Sequence, residues 1–156
     1  MKSRKTAAQR KLDQLVADNG GDGIDLAGCD GCVVVGNRID RNGDTGIEVE
    51  SLTGAWIVAN SVTRNGDDGI DLQGTDADRN RIFANRTTHN ADNGIVVDVG
   101  STGNFLKENK AIGNAGLDLE DVNLPASPCP NLWRNNRFGT DNETRSGVGP
   151  RAGCIR

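Results

Sequence analysis

The chain has 156 residues, a formal charge of −4, 35% hydrophobic residues and only 3% aromatic residues. That length holds one domain or a short solenoid, and an ordinary globular core built from so few large side chains is excluded. The acidic balance argues against nucleic acid as a partner, because phosphate neutralisation needs a basic stripe. No apolar run approaches the roughly 18 residues of a membrane span.

The opening Met1-Lys2-Ser3-Arg4-Lys5 is basic, and no apolar signal-peptide core follows it. The expectation is a removed leader, or a trimmed or engineered segment. Residues from about Thr6 to Asp18 predict a helix, with Ala8, Leu12, Leu15 and Val16 on one face and Asn19-Gly20 as its stop. Residues 1–19 are therefore expected to form a capping helix, since the bare end of a β-stack exposes unpaired backbone groups. The other reading of this basic amphipathic stretch is an anchor for a membrane or a partner.

From there one phrase recurs: Gly23-Ile24-Asp25-Leu26, Gly46-Ile47-Glu48-Val49, Gly69-Ile70-Asp71-Leu72, Gly94-Ile95-Val96-Val97 and Gly116-Leu117-Asp118-Leu119. The glycines are 23, 23, 25 and 22 residues apart. A second phrase keeps step at Asn37, Asn60, Asn85, Asn109 and Asn136, and a third at Asn42, Asn65, Asn90 and Asn114. A period of 20 to 50 residues marks a repeat architecture. Each unit parses as a G-I-x-L strand, a polar turn, a second strand such as Val33-Val34-Val35, an Asn corner, a third strand such as Arg38-Ile39-Asp40, and an Asn-Gly return. The predicted fold is all-β: a parallel β-helix of about five coils over residues 20–140, with three short strands per coil.

Stacking explains the asparagines. Asn37, Asn60, Asn85, Asn109 and Asn136 are expected to lie one above another at about 4.8 Å, each amide bonding to the coils on both sides. Asn80, Asn104 and Asn131 form a partial second column. The inward columns are predicted as Ile24/Ile47/Ile70/Ile95/Leu117, Leu26/Val49/Leu72/Val97/Leu119, Val34/Ile57/Ile82/Leu106/Trp133 and Ile39/Val62/Thr87/Ala111/Phe138. Each buried apolar side chain contributes roughly 1.5–3 kcal/mol.

The rhythm breaks at Asn123 to Pro130, and residues 141–156 form a glycine-rich tail. Four cysteines permit three pairings and point to an oxidising compartment, although free thiols are also compatible. Cys129 and Cys154 read as a disulfide that folds the tail over the open end. Cys29-Asp30-Gly31-Cys32 has the spacing of half a zinc knuckle or a redox pair. No second pair of this spacing exists and the one histidine, His89, is far along the chain. A Cys29–Cys32 disulfide, or two thiols in a turn, is the better reading.

The repeated phrases resemble the right-handed parallel β-helix repeat proteins of the pectate-lyase-like superfamily. The G-I-x-L and N-x-I phrases are similar to its non-enzymatic members, including periplasmic proteins that mature nitrous-oxide reductase. The stretch from Cys129-Pro130-Asn131-Leu132-Trp133 to Gly139-Thr140, ending in Cys154-Ile155-Arg156, looks like the terminus of secreted bacterial members. The resemblance covers about Asn19 to Arg156. It implies a fold, and a family that includes lyases, hydrolases, epimerases, tailspikes and proteins with no known reaction.

In the resembled enzymes the active groove runs along the first sheet. Here that face is expected to carry Asp25, Glu48, Asp71 and Asp118, with Glu50, Asp98 and Glu120 two residues on. Stacked carboxylates raise one another's pKa or recruit Ca²⁺, and a close pair can serve glycoside hydrolysis. The plainer reading is a solvated outer face, which Val96 interrupts. The hydrolase motifs of the family and a lyase arginine are missing. Gly20-Gly21-Asp22-Gly23-Ile24-Asp25-Leu26 matches a Ca²⁺-binding nonapeptide once, but that chemistry needs the pattern every nine residues. No cofactor is expected beyond an incidental Ca²⁺ at Asp22, Asp44, Asp67 or Asp68.

Three functions follow. The first is a non-catalytic extracellular or periplasmic scaffold or binding module, with polysaccharide as its contact and no site of catalysis. The second is a polysaccharide lyase, hydrolase or epimerase, or its remnant, working through Asp25, Glu48 and Asp71. The third is a trimmed or engineered β-helix segment. The sequence gives no oligomeric state.

Overall fold

A computed structural model describes residues 14–29, 31–124, 128–145 and 154–155. The chain coils as β1 (Leu15–Ala17), β2 (Ile24–Ala27) and β3 (Val33–Val35), then β4 (Arg38–Asp40), β5 (Ile47–Glu50) and β6 (Trp56–Val58). It continues as β7 (Ser61–Thr63), β8 (Ile70–Gln73), β9 (Arg81–Phe83), β10 (Arg86–Thr88), β11 (Ile95–Val97) and β12 (Phe105–Lys107). Strands β13 (Lys110–Ala111), β14 (Leu119–Asp121) and β15 (Leu132–Arg134) and a helical turn, α1 (Asn142–Arg145), complete it.

Every third strand pairs in parallel. The first sheet runs β2-β5-β8-β11-β14, the second β3-β6-β9-β12-β15 and the third β1-β4-β7-β10-β13. This is a parallel β-solenoid of about five turns. Its interior is the set of residues that strand alternation turns inward. Ile47, Ile70, Ile95 and Leu119 stack in one column and Ile57, Ile82, Leu106 and Trp133 in another, all at most 1% exposed.

Three asparagine ladders hold the corners. Asn37 to Asn136 form the first, with each side-chain amide donating to the carbonyl oxygen of the next asparagine from Asn37–Asn60 at 3.2 Å to Asn109–Asn136 at 3.1 Å. Asn80, Asn104 and Asn131 form the second, and Asn19, Asn42, Asn65, Asn90 and Asn114 the third. In the first and third ladders the sharp bend lies one residue earlier than each asparagine. Arg41, Arg64 and His89 precede the third ladder, and Gly36, Ala59, Ala84 and Glu108 the first, all with φ between 53° and 65°. Gly66 serves differently: a Cβ there would collide with the backbone carbonyl of Gly43 in the coil below. The return turn needs glycine for close approach.

Two expectations fail. Leu15–Ala17, assigned to a capping helix over residues 1–19, is strand β1, with Val16 opposite Ile39 in the third sheet. The remainder of that helix, residues 1–13, lies outside the described residues. The fifth coil is also shifted by two: Ile95 pairs with Leu119 and Val96 with Glu120, so Leu117 and Asp118 leave the columns predicted for them.

At the far end Cys129 and Cys154 are bonded. The backbone N–H groups of Cys154 and Ile155 donate to the Glu143 carboxylate at 3.0 and 3.1 Å. Ile155 is 6% exposed and belongs to the core cluster. The residues between, 146–153, are outside the described set.

Candidate functional site

The first sheet and the turn that enters it gather most of the acidic side chains. Alternation turns Asp25, Glu48, Asp71, Val96 and Glu120 to the outside in one aligned column. Ala27, Glu50 and Gln73 align beside it. In the turn, the N–H of Thr45 donates to Asp22 Oδ1 at 2.9 Å and that of Asn93 to Asp68 Oδ1 at 2.7 Å. Side chains at this position therefore reach up to the backbone of the next coil. Asp67 and Asp92 are tied one above the other, the N–H of Asp92 donating to the Asp67 carbonyl at 3.1 Å.

Outward does not mean solvated. Asp71 is only 7% exposed, and its Oδ1 has no hydrogen-bond partner. Burial, helped by the charges of Asp98, Asp68, Glu48 and Asp67, pushes its carboxyl up to about 8. Burial raises Asp68 to about 7 against the lowering effect of the Asn93 N–H, with Asp67 and Asp92 adding to the rise. Glu48 also reaches about 7, through burial, a hydrogen bond with Asp22 and the charges of Asp22, Asp25 and Glu50. Asp67 is raised by burial and by Asp92, Asp44 and Asp22. No lysine, arginine or histidine occupies an outward position on the described strands of this sheet. Such a face can hold a proton on one carboxyl beside an ionised neighbour, or gather a cation. One carboxylate oxygen from each of Asp67, Asp68 and Asp92 lies within 4.8 Å of the other two.

Asp118 does not join this face. Its Oδ1 accepts from the Asn114 side chain at 3.0 Å, and its Oδ2 from the N–H of Gly139 at 2.8 Å. It closes the third asparagine ladder, and Glu120 takes the place predicted for it in the acidic column. Cys29 and Cys32 are disulfide-bonded, and no cysteine is free to ligate zinc. His89 sits exposed at a left-handed corner of the third sheet.

The other two sheets carry surfaces that the sequence reading missed. On the second, Val33, Trp56 and Leu132 are 65%, 43% and 46% exposed. Arg81 lies 4.9 Å over the Trp56 ring, and Phe83 meets Phe105 edge-on at 5.1 Å. On the third, the column is Arg38, Ser61, Arg86, Lys110, with Arg137 bridging to Lys110. Buried Asp40 binds Arg38, Arg41 and Arg64 and accepts from Thr63. Arg86, Lys110 and Arg137 have no carboxylate partner among the described residues. A shallow groove lies there, lined by Ser61, Thr63, Arg64, Arg86, Thr88 and His89. Applying two-residue alternation to these strands, as to the acidic one, exposes both patterns.

A family model described as right handed beta helix region matches residues 9–143. The chain belongs to that family. Membership agrees with the three parallel sheets and gives the coil its hand. No curated protein matches the chain, so what this β-helix does has to be read from its surfaces.

Proposed function

We propose that this β-helix is a non-catalytic extracellular or periplasmic binding module that holds an anionic polysaccharide on its third sheet. The observation that carries the reading is the separation of charge around the coil. Carboxylates crowd the first sheet, whereas Arg86, Lys110 and Arg137 stand in a row on the third with no counter-charge among the described residues, beside the hydroxyls of Ser61, Thr63 and Thr88. Cations spaced by one coil, about 4.8 Å, suit a linear polymer with regularly spaced charges. Two disulfides favour an oxidising compartment.

A second reading keeps an enzyme on the first sheet. What favours it is Asp71, a buried carboxyl raised to about 8 in the same column as Glu48 and Asp25, the pattern of an acid beside a base.

One set of assays separates the two. Uronic-acid polymers and neutral glucans are titrated by calorimetry and affinity electrophoresis, with unsaturated products and new reducing ends followed in parallel. The module reading expects salt-sensitive binding of the acidic polymers alone, weakened at least about tenfold in Arg86→Glu/Lys110→Glu, with no turnover. Turnover lost in Asp71→Asn establishes the enzyme instead. Equal affinity for duplex DNA overturns the choice of polymer.

A further inference from the structure

We infer that the second sheet is a peripheral docking face for an anionic lipid surface, against which the solenoid lies lengthwise. The inference is independent of the polysaccharide reading, which concerns the third sheet.

The first observation is a failure of alternation. A solvated sheet turns polar residues outward, and the other two sheets do so. The first presents Asp25, Glu48, Asp71 and Glu120, and the third Arg38, Ser61, Arg86 and Lys110. The second is apolar on both sides. Its inward column from Val34 to Trp133 is buried, yet its outward column reads Val33, Trp56, Arg81, Phe105, Leu132. Beside that run Val35, Val58, Phe83, Lys107 and Arg134. The chain has only two tryptophans and three phenylalanines, and three of these rings, Trp56, Phe83 and Phe105, stand on this one face. A contiguous exposed apolar surface marks a contact with another molecule or a membrane.

The second observation is charge. No aspartate or glutamate occurs in β3, β6, β9, β12 or β15. The charged side chains of the face are Arg81, Lys107 and Arg134. Lys107 pairs with Glu108 at the corner, whereas Arg81 and Arg134 have no carboxylate partner among the described residues. Arg81 lies over the Trp56 ring, which joins a cation to the most amphipathic apolar side chain of the face. What complements such a surface is apolar and anionic together.

The third is shape. Outward neighbours on a strand stand about 7 Å apart and successive coils about 4.8 Å, so the five coils present a stripe roughly 7 Å by 20 Å between side-chain bases. A stable protein partner covers about 800 Å² on each side, well beyond this footprint. A rod resting on a plane touches it along one stripe. A lipid surface takes up the apolar side chains and holds a Trp ring at headgroup level, while arginines reach the phosphates. Each unpaired cation near an anionic leaflet strengthens partitioning about fivefold, so attachment through this face is reversible.

The test uses the whole chain, sedimented with vesicles of equal parts phosphatidylglycerol and phosphatidylcholine. Binding is expected to exceed that to phosphatidylcholine alone at least about tenfold and to weaken with salt. Trp133 is buried, so Trp56 reports the contact: its emission should shift to the blue and be quenched by acyl-brominated lipid. Arg81→Gln/Arg134→Gln should weaken partitioning at least about tenfold, and Val33→Ser/Leu132→Ser should also weaken it. All four side chains are exposed, and an unchanged urea midpoint verifies that the variants fold. Arg86→Glu/Lys110→Glu, on the third sheet, should keep the Trp56 shift. No sedimentation with the anionic vesicles overturns the inference. So does binding that leaves Trp56 emission unaltered, or that follows Arg86 and Lys110 instead of Arg81 and Arg134. A Trp56 shift that grows with protein concentration in the absence of lipid assigns the face to a second copy. An equal shift with a soluble uronic-acid polymer assigns it to polysaccharide, and either result overturns the lipid assignment.

Discussion

Asn60 and Asn85 sit one coil apart and are joined twice. The single Oδ1 of Asn85 accepts from the Asn60 backbone N–H at 2.9 Å and from the Asn60 side-chain amide at 3.0 Å. Asn85 passes the pattern on, donating its own amide to the Ile57 carbonyl at 2.7 Å and to Asn109 Oδ1 at 3.1 Å. Both residues are at most 2% exposed. Replacing Asn85 with alanine removes these bonds and leaves several buried groups unsatisfied, at about 1–3 kcal/mol each. Asn85→Ala is expected to lose at least about 3 kcal/mol in urea unfolding. Asn37→Ala, at the half-buried end of the same ladder, should lose clearly less.

Ala84 stands just before Asn85 with φ 53°, where the first coil uses Gly36. The left-handed conformation costs a residue with a Cβ roughly 1–2 kcal/mol, and glycine returns part of that as unfolded-state entropy. Ala84→Gly should therefore stabilise the protein, by about 0.5–1 kcal/mol, and Gly36→Ala should destabilise it by a similar amount. Equilibrium denaturation of the two variants measures both signs.

Acid and alkali should act on different faces. Burial raises the Asp40 carboxyl, but the hydrogen bonds from Thr63 and Arg64 and the charges of Arg41 and Arg64 outweigh it and hold the pKa below the usual value. A depressed native pKa stabilises above the unfolded value and is lost as pH falls through the native one, so Asp40→Asn should flatten the acid limb of a stability–pH curve below about pH 4. Asp71 has the opposite sign. With a native value of about 8, the folded state holds a proton that the unfolded state has already released, so stability declines from about pH 4 towards pH 8 and levels off beyond. Asp71→Asn in chelator should remove much of that decline, and thermal melts across the range will show it.

The bond between Cys129 and Cys154 closes a loop of sequence separation 25 and brings Ile155 onto the core. Paired Cys129→Ser/Cys154→Ser substitution should cost about 3 kcal/mol. Loss of Cys29–Cys32, separated by 3, should cost clearly less. Denaturation of the oxidised proteins compares them.

Much of this fold is visible in the repeats because a coil cannot change one position without disturbing those above and below. The exceptions have physical causes. Gly116-Leu117-Asp118-Leu119 imitates the repeated phrase, but the stack is registered by its corners, and the step from ladder asparagine to inward residue is the same from Asn19 to Ile24 as from Asn114 to Leu119. Counting from asparagines instead of glycines places Glu120 in the acidic column. The same count shows that Asn19-Gly20 opens a turn like Asn42-Gly43, which makes Leu15–Ala17 a strand. Three residues are too few for their own period to tell strand from helix. The crowding at Asp71 could not be read at all: alternation gives the direction of a side chain, whereas burial depends on how adjoining coils close around it.

Asp118 has one further consequence. Each corner asparagine both receives and gives, so a new storey could be slipped between any two of them. A carboxylate only receives. By ending the third ladder in Asp118, the chain has fitted that ladder with its own terminator. Lengthening by duplicating residues 60–84 should be tolerated, whereas adding a coil beyond Asn114 first requires that aspartate to become an amide.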